Sequence, residues 1–126
     1  MVNSKGRKLK ALKHEEPDRV PVGEWGVDHD IVKKVIGHPT FWRAKADTTR
    51  ALWDGRRDEV VESFKEDIVE LVEELDHDLV PGHFVPPADY QPPEIEKIGP
   101  NSWEEPNGRL WKYSKGNDAK NSFYNL

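Results

Sequence analysis

The stretch Leu9-Lys10-Ala11-Leu12-Lys13-His14-Glu15-Glu16-Pro17-Asp18-Arg19-Val20-Pro21-Val22 decides how this chain is read. Leu9 and Leu12, three positions apart, fall on one side of a short helix over residues 4–14. Pro17 stops that helix, because its ring removes an N–H and clashes with the preceding turn. Arg19-Val20-Pro21-Val22 then reads as a short strand. Its valines favour pleated backbone, and Pro21 suits a strand's start or edge.

Working outward, Asp28 is placed to cap a helix that runs to Ile36. Ile31, Val32, Val35 and Ile36 supply its apolar groups, and Gly37 stops it. Pro39 fits the first turn of a further helix that gathers Trp42, Ala46, Thr49 and Trp53 at helical spacing and ends at Gly55. The strongest periodic signal follows. Val60, Val61, Phe64, Ile68, Leu71, Val72 and Leu75 keep the rhythm of an amphipathic helix, while Glu59, Glu62, Glu66, Glu70, Glu73 and Glu74 mostly fill the solvent side.

Asp76-His77-Asp78 closes that helix, and Leu79-Val80-Pro81-Gly82-His83-Phe84-Val85 reads as a second strand ended by Pro86-Pro87. After a proline-rich connection, Asn107-Gly108 between Trp103 and Trp111 predicts a hairpin with a two-residue type I′ turn. Residues 114–126 carry little pattern and read as a frayed tail. Two strands separated by long helical matter should run parallel, because a crossover of that length makes a βαβ unit. The expected class is α/β.

Composition bounds the partners. At 126 residues the chain fits one small domain or part of a larger one. Hydrophobic residues make up 35% and charged residues 34%, which is polar for a self-sufficient globule, yet five Trp, four Phe and three Tyr are too many for disorder. The core should therefore be under-supplied, to be completed by self-association or by further chain. The net charge of -5 argues against a nucleic-acid partner. The early cluster Lys5, Arg7, Lys8, Lys10 and Lys13 reads as a solvated helix face. The chain has no cysteine, which removes disulfides and thiolate chemistry together. No apolar run approaches the roughly 20 residues of a membrane span, and the first residues lack a secretory signal, so a cytoplasmic location is expected.

The opening run resembles that of the uroporphyrinogen decarboxylase superfamily, in which a short helix leads through His-x-Glu-Pro-Asp-Arg-Val-Pro-Val into the first barrel strand. Trp103 to Trp111, with Gly108-Arg109 between them, looks like the family's early β-excursion. The resemblance implies that residues 1–126 form the N-terminal part of a TIM (β/α)8 barrel: a leading helix, two βα units and a hairpin excursion, about the first third of a family member. It implies a small-molecule substrate and either decarboxylation or cobalamin- and thiol-linked methyl transfer in the full-length parent. The segment alone is expected to be inactive. Family decarboxylases carry an Arg-x-Ala-Gly-Arg segment after the first strand. Gly23-Glu24-Trp25-Gly26-Val27-Asp28 stands here instead, without an arginine, which tilts the reading towards methyl transfer. The zinc ligands of the methyltransferase branch are His and Cys residues later in the barrel, so no zinc or cobalamin ligand is identifiable in this chain. The alternatives are a non-catalytic interaction module and a truncated gene product.

A barrel of this kind carries its chemistry at the carboxyl ends of its strands. Those positions make Glu24 and His83 the candidate catalytic groups. Glu24 can pass a proton or hold a cationic substrate group, and His83 titrates near neutrality. Trp25, Asp28, His29 and Phe84 are the candidate substrate-binding residues, the aromatic pair as walls for a flat or methylated ligand. Asp28-His29-Asp30 looks like a metal cluster on paper, but neighbouring side chains at a helix start diverge, and no metal ligand is assigned. His77 reads as a helix-end group, and His14 and His38 as helix-boundary residues beside prolines.

Overall fold

A computed structural model describes residues 3–114, together with the backbone of residues 122–125. The chain is mixed α/β. Four helices, α1 (Ser4–Leu12), α2 (His29–Ile36), α3 (Ala46–Trp53) and α4 (Arg57–Glu74), precede four short strands, β1 (Glu96–Gly99), β2 (Ser102–Glu104), β3 (Leu110–Ser114) and β4 (Ser122–Asn125). It divides into two compact units, one of Met1–Thr40 with Phe64–Phe84 and one of Phe41–Ser63 with Val85–Leu126.

In the first unit, Asn3 caps α1 by accepting the Gly6 N–H at 2.8 Å. The buried residue of that helix is Arg7, while Leu9 and Leu12 are exposed, the reverse of what leucine spacing predicts. α2 ends on Gly37, whose φ of 78° is left-handed, as expected of a C-terminal stop. Asp28 occupies the position before α2, but its side chain makes no capping bond. Its carbonyl serves the helix instead, accepting from Ile31 and Val32. Val32 and Ile36 of α2, and Phe64, Ile68, Leu71 and Val72 of α4, are the buried apolar side chains of this unit. Each such burial is worth about 1.5–3 kcal/mol.

The two segments expected as strands, residues 19–22 and 79–85, are irregular, and among the described residues the expected parallel βαβ pair does not form. The end of the first is joined to the residue before the second. The Asp78 N–H donates to the Val22 carbonyl at 2.6 Å, and the Val22 N–H donates to Asp78 Oδ2 at 2.9 Å. The second of these bonds is made by the Asp78 side chain rather than its backbone, and no ladder forms.

In the second unit, the helix expected from Pro39 begins only at Ala46. Arg43 and Lys45 both hold positive φ, 53° and 51°, which interrupts helical backbone. Side chains pin that irregular stretch: Phe41 N–H donates to Ser63 Oγ, and Thr48 Oγ1 donates to the Phe41 carbonyl, each at 2.8 Å. Trp42, Ala44, Ala46, Ala51, Val60 and Val61 are buried.

The strands form an antiparallel meander in the order β1-β2-β3-β4, with Trp103 opposite Trp111. The hairpin between β2 and β3 is present, but its turn is not type I′. Gly108 N–H donates to the Glu105 carbonyl, Glu105 N–H donates to the Arg109 carbonyl, and Gly108 alone in the turn has positive φ, 83°. Pro106 fixes φ in the range a type I turn needs at its second position, and Gly108 supplies the left-handed residue that follows. Asn107 Oδ1 accepts the Arg109 N–H at 2.9 Å. The rings of Trp103 and Trp111 lie 6.1 Å and 5.8 Å from that of Trp53, so the hairpin and α3 share an aromatic cluster. The segment read as a frayed tail pairs over Ser122–Asn125 with β3, and residues 115–121 and 126 lie outside the described residues.

Candidate functional site

The two segments of the first unit that begin at Asp18 and Asp78 are tied together by charge at their leading ends. Arg7 grips Asp18 bidentately, Nε to Oδ1 at 2.8 Å and Nη2 to Oδ2 at 2.9 Å, and donates through Nη1 to Asp78 Oδ1. Arg19 approaches Asp78 Oδ2 at 3.2 Å and Asp76 Oδ2 at 3.1 Å. The Asp78 side chain is fully buried. A buried carboxylate persists only when its charge is answered by donors, and Asp78 has two guanidiniums and a backbone N–H.

These partners set the protonation states. The Val22 N–H holds Asp78 ionised below the usual carboxylate range, aided by Ser4, Arg7 and Arg19 against the opposing effect of burial. The hydrogen bonds that Arg7 donates to Asp18 lower the Asp18 pKa to about 2 and raise that of Arg7 in turn. The junction is tight: a Cβ on Gly23 would stand 2.6 Å from Leu79 Cβ, so glycine is required where the segments touch.

The expected site residues lie further along the same two segments. Glu24 is exposed, and its Oε1 accepts from the backbone of Trp25 at 2.9 Å and Gly26 at 3.4 Å, closing its own turn. Trp25 is 81% exposed and Phe84 fully so. The His83 ring lies edge-on to Phe64, with centroids 5.3 Å apart. His29 opens α2 and is half-buried, and Asp28 precedes it. Glu24 and His83 therefore sit beyond the junction on neighbouring segments, both exposed. A shallow groove of about 460 Å³ in this unit is lined by Asp30, Lys33, Lys34, Gly37, His38 and Pro39, none of which belongs to the expected site.

A second cluster was not legible in the sequence. His38 Nε2 stands 2.9 Å from Glu70 Oε2, its Nδ1 stands 3.0 Å from the Pro39 carbonyl, and a carboxylate oxygen of the buried Asp67 completes a group of donor atoms within 4.8 Å of one another. The Glu70 hydrogen bond, seconded by that to Pro39, raises the His38 pKa. The available signal was the i, i+3 spacing of Asp67 and Glu70, which shares one helix face. Nothing in the sequence brings His38 to that face.

No family model matches this chain, and neither a curated protein nor a solved structure does. Among the described residues, no helix is long and apolar enough to cross a membrane.

Proposed function

We propose that this chain carries the opening of a uroporphyrinogen-decarboxylase-like barrel enzyme that acts on a small molecule, with Glu24 and His83 as its proton-handling groups. The observation that carries the reading is the pair of bonds between Val22 and Asp78, 56 positions apart. It brings the end of residues 19–22 beside the start of residues 79–85 across a helical connection, the proximity that the first two strands of a barrel would need. A Cβ on Gly23 would meet the Leu79 side chain, so the two segments stay close one residue further on.

Polarity supports the same reading. The Arg7, Asp18, Arg19 and Asp78 network occupies the leading ends of both segments, where barrels keep residues for stability. Glu24, Trp25, His83 and Phe84 occupy the trailing ends, where barrels keep chemistry. There an exposed carboxylate and an imidazole can exchange protons with a substrate, while the two aromatic side chains supply apolar area for it.

The reaction is decarboxylation or methyl transfer. The absence of arginine from residues 23–28 disfavours an acidic porphyrinogen and favours a methylated substrate. The His and Cys zinc set implied by the methyltransferase branch does not fit this cysteine-free chain, and no step here passes through it. The test is substitution in an active protein that contains this chain, assayed with uroporphyrinogen or with a methylated cobalamin and a thiol. His83→Ala and Glu24→Ala should each lower kcat/KM by about 10²-fold or more, the usual worth of a positioned acid or base, without lowering the melting temperature. Full specific activity in both variants would refute the assignment.

A further inference from the structure

We propose that His38, Asp67 and Glu70 bind a first-row divalent cation, with Zn²⁺ as the representative ion. The site is built by two elements of the first unit. α4 places Asp67 and Glu70 one turn apart on a single face, and the left-handed Gly37 ends α2 so that His38 meets that face.

The argument turns on the two nitrogens of His38. The Pro39 carbonyl can only accept, so Nδ1, 3.0 Å away, carries a hydrogen and donates it. In the neutral ring Nε2 is then a lone pair, and it faces Glu70 Oε2 at 2.9 Å. Two electron-rich atoms at that separation need a cation between them. A proton serves in the metal-free chain, and a metal ion serves when one is bound, displacing that proton to solvent. Ligating histidines commonly have their other nitrogen fixed on a carbonyl in just this way.

The third donor and the distances fit. A tetrahedral ion with bonds of about 2.1 Å spaces its ligand atoms about 3.4 Å apart. The donors already lie within 4.8 Å of one another. His38 and Glu70 are half-exposed, which leaves room for the small shifts that shorten these separations, whereas Asp67 is buried. One imidazole with two carboxylates suits Zn²⁺ and its first-row neighbours better than Mg²⁺ or Ca²⁺, which favour all-oxygen shells. The positive groups bordering the adjacent groove are Lys33 and Lys34, and Lys33 is paired with Asp30 at 3.5 Å. The half-exposed edge leaves a coordination position open to water.

Zn²⁺ titration of the full chain by calorimetry tests the proposal, with circular dichroism to confirm folding. One ion should bind per chain. His38→Ala and Glu70→Gln, both at half-exposed positions, should each weaken binding by at least about 10-fold, since even outer partners of ligands are worth that much. In the unsubstituted chain, ¹⁵N spectra should show the His38 Nε2 signal moving on Zn²⁺ addition while Nδ1 stays protonated. Absence of Zn²⁺ binding would overturn the proposal. So would undiminished affinity in His38→Ala, which would assign the ion to another of the five histidines. The barrel reading stands or falls separately.

Discussion

The guanidinium of Arg7 donates to the carboxylate of Asp78 across 71 positions of sequence, and neither side chain has appreciable contact with solvent. This bond ties α1 to the start of the second extended segment, while the same guanidinium holds Asp18 just ahead of the first. Removing one partner strands the other charge in a buried setting, which costs far more than an exposed pair is worth. Arg7→Met and Asp78→Asn should each lower the melting temperature by several degrees. Lys8→Met on the same helix should change it little. Thermal denaturation followed by circular dichroism checks the contrast.

The same network makes stability depend on acid. Asp18 is depressed from 3.8 to about 2 by Arg7, so its contribution is complete above pH 3.8 and is lost as pH falls through about 2. Asp78 is depressed too and acts in the same sense. Melting temperature measured from neutral to strongly acidic pH should hold level and then fall on the acid side. Asp18→Asn should make that acid limb shallower.

Core and site should respond oppositely to truncation. Leu71 is 2% exposed in α4, and Leu71→Ala should cost about 2–5 kcal/mol through lost burial and an unfilled cavity. His83 is exposed, and His83→Ala should change stability by no more than about 0.5 kcal/mol. Urea denaturation of both variants measures the difference. A large loss for His83→Ala would make its edge-on contact with Phe64 structural.

The hairpin turn rests on Gly108. A side chain there would sit in left-handed backbone, at a cost of about 1–2 kcal/mol. Gly108→Ala should therefore destabilise the second unit, whereas Asn107→Ala should cost less because it removes only two exposed local hydrogen bonds, one accepted from the Arg109 N–H and one donated to Glu105. Tryptophan fluorescence during unfolding reports on this unit through Trp53, Trp103 and Trp111.

The sequence made some of this legible. α4 could be read because its apolar stripe is long and regular, and α2 because Gly37 marks its end. The hairpin was visible from Asn107-Gly108, but Pro106 changed its turn type. What sequence hid was long-range. Arg7 looked like one of several solvated basic residues, and only the approach of Asp78 turns it inward and leaves Leu9 and Leu12 outside. The late start of α3 depends on positive φ at Arg43 and Lys45, held by Ser63 and Thr48 rather than by local preference. Glu24 and His83 could be placed by position along their segments, but the meeting of His38 with Asp67 and Glu70 is purely tertiary.

A barrel opening should present apolar side chains for neighbouring strands to cover, and Val20, Val22, Trp25, Val80 and Phe84 are all exposed along the two extended segments. Such surface is uncommon on a finished monomer and draws partners or dyes. The decisive measurement is the emission of a hydrophobic dye with the purified chain across a concentration series. Strong enhancement, reduced by the double substitution Trp25→Ser and Phe84→Ser, is the result this account predicts. A dye-silent monomer with a sharp, concentration-independent melting transition would contradict it.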